Sequence, residues 1–240
     1  MKVIVTGATG MVGEGVLIEC LQNDKVSEVI MLNRKHFDLQ HSKLKEIIVK
    51  DFMHLENVHH DLTGYDACFF CAGISSVGLK EDAYRQITYD VTMNVAKTLS
   101  SINPSMTFIY VSGSGTDSSE KGKLMWARVK GKTENDLLKL PFKAVYNFRP
   151  GMMKSTQGQK NVKWGFKIMD ALYPVMNLLF PAFVSTLQEV ALAMISVAVK
   201  PYESSTLEVK DIKIIARQNQ LARCWELLTI KKSPWMSIMI

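Results

Sequence analysis

Several things are scarce or missing in this chain of 240 residues, and each absence narrows the reading. Cysteines number four, without framework spacing, which excludes a disulfide-stapled scaffold and suits a reducing cytoplasm. No uninterrupted run of about 18 apolar residues occurs, so no membrane-spanning helix is expected. Dense Lys/Arg blocks are missing too, and a net charge of +6 that is spread along the chain gives no nucleic-acid arm. The five histidines, His36, His41, His54, His59 and His60, have no cysteine or carboxylate partner at ligand spacing, so no metal site is expected. Internal repeats and low-complexity segments are lacking. A secretory leader is not expected either, because a glycine turn begins where its apolar segment would stand. What remains is an apolar share of 47%, enough for the core of one large α/β domain or a domain with a small lobe.

That glycine turn organises the chain. Val3 to Thr6 is a β-branched run that reads as a buried strand, and Gly7, Gly10 and Gly13 follow at once. Val12, Val16, Leu17 and Leu21 then fall at helical spacing. Strand, glycine turn and helix form a cradle for phosphate. Gly7 permits the turn, Gly10 lets the backbone approach a pyrophosphate, and Gly13 lets the helix lie on the sheet. The free N–H groups at the helix start, with Thr9, Met11 and Val12 completing the turn, face the anion.

Further along, Val26 to Leu32 reads as a second strand. NAD-binding folds place an acid about 20 residues past the glycines, against the ribose 2′-hydroxyl. Here that count reaches Asn33, followed by Arg34 and Lys35. With no carboxylate to repel it and two cations to hold it, a 2′-phosphate fits, and NADP is expected over NAD. The same residues also read as a solvated basic turn. Glu46 to Lys50 looks like a third strand. Asp61 and Leu62, before a fourth strand at Ala67 to Ala72, are placed to bracket an adenine ring, although ordinary loop roles fit them equally. Cys68 and Cys71 match a redox dithiol spacing, but three residues along a strand separates them by about 10 Å, too far for a disulfide. The strand ends in Cys71, Ala72 and Gly73, small residues beside the cofactor path. Glu81 to Ser100 reads as one helix, with Tyr84, Ile87, Val91, Val95 and Leu99 along one face. Thr107 to Val111 reads as a fifth strand ending in Ser112, Leu124 to Leu140 as a helix, and Lys143 to Arg149 as a sixth strand.

In this order and spacing, the turn Thr6-Gly7-x-x-Gly10-x-x-Gly13, Cys71-Ala72-Gly73, Ser112, Lys130 and Arg149-Pro150-Gly151 resemble the short-chain dehydrogenase/reductase superfamily, in its epimerase-like or atypical NAD(P)-binding branch. The likeness runs from about residue 2 to residue 216. It implies an α/β fold with a doubly wound parallel sheet of Rossmann type, ligand sites at the carboxyl ends of the strands, and a small C-terminal helical substrate lobe. It also implies that Ser112 orients a substrate carbonyl and that Lys130 holds the nicotinamide ribose. The superfamily's catalytic tyrosine belongs four residues before the lysine, and this chain has Trp126 there. An indole N–H donates a hydrogen bond but cannot exchange a proton near neutral pH. Asp117, Glu120, Tyr84 and Tyr89 are the residues in range of taking over, and nothing in the sequence selects among them.

Residues 151–205 correspond to the substrate lobe. Its aromatic and methionine-rich run, Trp164 to Phe183, is broken by Pro174 and Pro181 and would line an apolar pocket. Thr186-Leu187-Gln188-Glu189 is a capping-box start for a helix to about Val199. The domain is expected to close near residue 216. Residues 217–240 fall outside the resemblance and read as a partner- or membrane-surface helix, an oligomer contact or an extension without a role. Two functional classes remain open: an NADP-dependent oxidoreductase or epimerase on a small, fairly apolar carbonyl or alcohol, and a silent NADP(H)-binding sensor or partner-binding module. The sequence leaves homo-oligomerisation open.

Overall fold

Among the described residues, seven parallel strands form the central sheet. The computed structural model describes residues 1–162 and 164–230, with the side chains of 164–166 and 222–230 left aside. The strands are β1 (Lys2–Thr6), β2 (Glu28–Asn33), β3 (Leu44–Ile48), β4 (Ala67–Phe70), β5 (Thr107–Val111), β6 (Ala144–Arg149) and β9 (Thr206–Glu208). Their order is β3-β2-β1-β4-β5-β6-β9, which reverses between β1 and β4, and this reversal opens a crevice at the carboxyl edge of the sheet. The expected doubly wound sheet is present.

Both faces of the sheet are covered, which is why its strands read as continuous apolar runs rather than as alternating ones. Val3 and Val5 point to one face, against α1 (Met11–Gln22), α6 (Leu187–Val199) and α7 (Val209–Ile230). Ile4 points to the other, which is shared with α3 (Val91–Ile102) and α4 (Met125–Leu137). Cys68 and Phe70 face the second layer while Phe69 faces the first, and Cys71, just past the strand, packs against the first layer, so the two cysteines lie on opposite faces and are free. Burial alone pushes the Cys71 thiol up to about 12.

The helix expected over Glu81 to Ser100 is present but not uniform. α2 (Glu81–Arg85) passes through a π-helical turn, Gln86–Asp90, into α3. A π turn adds a residue per turn and resets the phase of the apolar face. Thr88 is therefore buried and Ile87 is turned outward, which corrects the expected buried position of Ile87.

The lobe adds a two-stranded parallel ribbon, β7 (Met152–Lys154) with β8 (Val184–Thr186), which the sequence does not signal. α5 (Trp164–Leu179) lies between the two and continues through Pro174. α7 runs unbroken from Val209 to Ile230, past residue 216; Trp235 to Ile240 lie outside the described residues.

The capping box forms as expected. Thr186 Oγ1 accepts the Glu189 N–H at 3.0 Å, and the Glu189 carboxylate accepts the Thr186 N–H at 2.8 Å. Thr186→Ala leaves the Glu189 N–H without its cap and is expected to cost about 1 kcal/mol. Chemical denaturation should show it as a lower midpoint with an unchanged slope.

Candidate functional site

The glycine turn has the geometry its spacing predicts. Gly7 sits at φ +73°, and a Cβ there would lie 2.7 Å from the Ala72 nitrogen. A Cβ on Gly13 would lie 2.2 Å from the Gly7 carbonyl oxygen, so α1 can start here only because Gly13 has no side chain. Gly10 differs. Its nearest atom would be the Gly7 oxygen at 3.4 Å, leaving the space above it open. Gly10 is the N-cap of α1, with no side chain of its own to cap the first N–H groups. An anion can take that role.

Above the turn lies a cavity of about 780 Å³. It brings together Gly7, Thr9, Gly10, Asn33, Arg34, Lys35, Cys71, Ala72 and Gly73, which the sequence placed along the cofactor path. Leu32, Lys50 and Phe52 complete the lining. Met11 is buried and Val12 half-buried in the first turn of α1, while Gly13 packs beneath it. Arg34, Lys35 and Lys50 are exposed, and none is ion-paired with a described residue. One nearby carboxylate, Glu46, is turned under the β2–β3 loop. There it accepts the Phe37 N–H at 2.9 Å and contacts His36 and Asn33. Burial opposes its charge, but those bonds outweigh burial and hold the carboxyl below its ordinary range.

The fit of a dinucleotide can be tested on this geometry. The cradle over Gly10 is open, and a Cβ on Gly73 would meet nothing within 4 Å. Asn33 Oδ1 is buried without a partner at the end of β2. The residues present fit a dinucleotide phosphate and ribose.

One expected pair is misplaced. Leu62 is fully buried in the core layer of α3, and Asp61 is exposed beside Lys45, Glu46 and Tyr65, away from the cavity. Residues just before a parallel strand lie at its amino edge, whereas ligands gather at the carboxyl edge. Asp51 and Phe52, which follow β3, occupy the place foreseen for them, beside Arg34, Ala72 and Gly73. The signal was available: an acid and an apolar residue directly after the third strand.

At the other end of the crevice, Ser112 stands at the end of β5, buried. Its hydroxyl donates to Glu134 Oε1 at 2.5 Å and lies 3.1 Å from the Phe148 carbonyl. Glu134 is buried one helical turn beyond Lys130 and is gripped by the Arg149 guanidinium, whose Nε lies 3.0 and 3.2 Å from the two carboxylate oxygens. Arg149 reaches Glu208 at 3.2 Å as well, and both carboxylates hold its charge firmly on. Lys130 donates to the backbone carbonyl of Ser112. Burial outweighs the pull of Glu134 and pushes the Lys130 ammonium down to about 8. The half-buried Trp126 ring sits over Gly115, 3.6 Å from where a Cβ there would be.

The other residues in range are engaged elsewhere. Tyr84 is buried, and Tyr89 donates to Asp136 at 2.7 Å. Asp117 accepts from Ser119 and Gly122 in its own loop, and Glu120 accepts from Asn135 at 2.8 Å. Sequence reasoning passed over Glu134, whose position four residues after Lys130 puts both on one face of α4. It also passed over Glu14. That buried carboxylate accepts the N–H groups of Lys160 and Asn161 at 2.6 and 2.7 Å, while Gln159 donates to the Met11 carbonyl at 2.6 Å. The lobe is thus tied to the first turn of the cofactor helix.

Comparison with known proteins agrees with this picture. A model of the NAD dependent epimerase/dehydratase family matches residues 3–123. The chain is 25% identical over 216 residues to a protein of Meyerozyma guilliermondii named FMP52, mitochondrial, covering 87% of this chain and 90% of the relative. Its fold is similar to that of Helicobacter pylori ADP-L-glycero-D-manno-heptose-6-epimerase, with a TM-score of 0.62 at 16% identity, over 90% of this chain and 80% of that one. It is also similar to Bordetella bronchiseptica WbmF in complex with NAD+, with a TM-score of 0.63 at 12% identity, over 92% and 77%. The mitochondrial name of the relative overturns the expected cytoplasmic location. Among the described residues Cys20, Cys68 and Cys71 are free thiols, and a lack of framework cysteine spacing does not by itself assign a compartment.

Two glycine variants separate packing from binding. Gly13→Ala forces backbone apart and is expected to lower stability by about 1–3 kcal/mol. Gly10→Ala is expected to leave the melting temperature nearly unchanged and to weaken cofactor binding. Thermal melts paired with nicotinamide-nucleotide titrations distinguish the two. In the same assay Arg149→Ala strands the Glu134 carboxylate and should cost about 3–5 kcal/mol.

Proposed function

The chain belongs to the NAD dependent epimerase/dehydratase family, and from that premise we propose that it is an NADP(H)-binding module whose nicotinamide end lacks the usual proton relay. The choice of NADP is supported by the carboxyl end of β2. Asn33 stands where an NAD site has its acid, and Arg34, Lys35 and Lys50, not ion-paired with any described residue, offer positive charge around the same cavity. Arg34 is the residue to grip a 2′-phosphate, because a guanidinium can make two parallel bonds to it.

A bound nicotinamide would supply or accept a hydride, and the chain itself must move the matching proton. Trp126 can donate a hydrogen bond but has no proton to exchange. The Ser112 hydroxyl proton is committed to Glu134, so directing it to a substrate carbonyl means giving up a charge-assisted bond. That commitment is the single observation that carries the non-catalytic reading: cofactor is bound and its presence is read out without turnover. One observation favours the other class, a reductase, dehydrogenase or epimerase acting on a small, fairly apolar carbonyl or alcohol. Lys130, pushed down to about 8, is an ammonium able to release a proton near neutrality.

Arg34→Ala is expected to weaken NADPH binding by about tenfold or more, the worth of a charge-assisted bond, and to leave NADH binding nearly unchanged. Equal losses for both cofactors would remove Arg34 as the discriminator. Steady-state NADPH oxidation against a panel of small aldehydes and ketones tests the second half. Wild type should stay at the rate of the cofactor alone. Trp126→Tyr, which sets a phenol one turn before Lys130, should raise it, by up to an order of 10²–10⁴ where general acid help is complete. Turnover by wild type that falls as pH rises through about 8 would instead mean that protonated Lys130 serves as the acid.

A further inference from the structure

The lobe presents an apolar surface that the cofactor site does not use. Residues 171–183, at the end of α5 and the turn after it, contain no charged side chain. Leu172, Val175, Leu178, Leu179, Phe180 and Phe183 are all exposed there, Leu178 by 81%. Leu172, Val175 and Leu179 fall at i, i+3 and i+7 and so share one face of the helix. Leu178, Phe180 and Phe183 extend the surface around the helix end, so it projects outward. Met169, Asp170, Tyr173 and Met176 form the half-buried side toward the lobe.

Lysines border this surface. Asp170, the acid of α5, is turned inward, where it accepts the Ser155 N–H at 2.8 Å and the Ser155 hydroxyl at 2.5 Å. Lys167 is exposed at one end of the helix. At the other end, Lys213 of α7 donates to Asn177 Oδ1 at 3.0 Å and to the Pro181 carbonyl at 2.9 Å. Lys154 lies over the Tyr173 ring, 5.4 Å from its centre. An uncharged apolar ridge bounded by lysines complements hydrocarbon beneath anionic headgroups.

We propose that α5 and the turn through Phe183 form a docking surface for an anionic lipid bilayer, lying in its interface without crossing it. No described helix is long and apolar enough to cross a membrane. The ridge inserts its leucine and phenylalanine side chains among the acyl chains, and Lys167 and Lys213 meet the headgroups.

Sedimentation of the full chain with vesicles tests this, comparing phosphatidylcholine alone with phosphatidylcholine containing about 30% phosphatidylserine, at low and high salt. Wild type is expected to bind the anionic vesicles and to be partly released by salt. Leu172→Asp/Leu178→Asp alters exposed residues only, so it should keep its circular dichroism and NADPH binding while losing vesicle affinity by about tenfold or more. Three outcomes would overturn the proposal. One is wild type that binds neither vesicle. Another is binding that the double variant leaves intact, which puts the contact elsewhere in the chain. The third is a concentration-dependent dimer in light scattering that the double variant abolishes, which makes a second copy of the chain the occupant.

Discussion

The constraint on which the cofactor cradle depends is the close approach between the start of α1 and the turn that precedes it. Gly13 passes so near the Gly7 carbonyl that a single methyl group would collide with backbone. This contact fixes the direction of α1, and much else follows from that direction. Gly10 is left facing open space at the N-terminus of the helix, where unsatisfied N–H groups favour an anion. Glu14, one residue further, is directed to the loop of the lobe and gathers the N–H groups of Lys160 and Asn161. Val16, Leu17 and Cys20 are set into the core layer shared with α6. One glycine spacing thus shapes the cradle and also decides where the lobe attaches.

The opposite end of the crevice is governed by charge instead. Glu134 is a buried carboxylate, stable only because Arg149 grips it and Ser112 donates to it. This ion pair ties α4 to β6, and through Glu208 to β9. It also takes the hydroxyl proton that a hydride-transfer site would aim at a carbonyl. Beside it, burial makes Lys130 easier to deprotonate than an ordinary lysine. Structural support and chemical role therefore compete for the same serine, and the competition sits next to the position where Trp126 stands in place of a phenol.

Patterns local in sequence were readable directly. The strand–glycine–helix turn and the capping box at Thr186 depend on neighbours within a few residues, and both form as their spacing implies, while the basic pair after β2 lines the cavity. What failed needed knowledge of which edge of the sheet a loop occupies, or of side chains distant in the chain. Asp61 and Leu62 have the composition of an adenine clamp but precede their strand, whereas Asp51 and Phe52 follow theirs and reach the cavity edge. Ile87 has helical spacing, yet a π turn rotates it outward. The Ser112–Glu134–Arg149 cluster joins three elements, and no local pattern announces it. The ribbon of β7 and β8 is three residues to a side, too short for a periodicity.

At the centre of this account is the proposal that the cavity between the glycine turn and the basic end of β2 holds the phosphates of NADP(H). Calorimetric titration of the full chain with NADPH and with NADH, under identical ionic strength, tests it most directly. NADPH should bind tighter by roughly tenfold or more, reflecting at least one charge-assisted bond to its 2′-phosphate. Equal affinities, or tighter binding of NADH, would contradict the account.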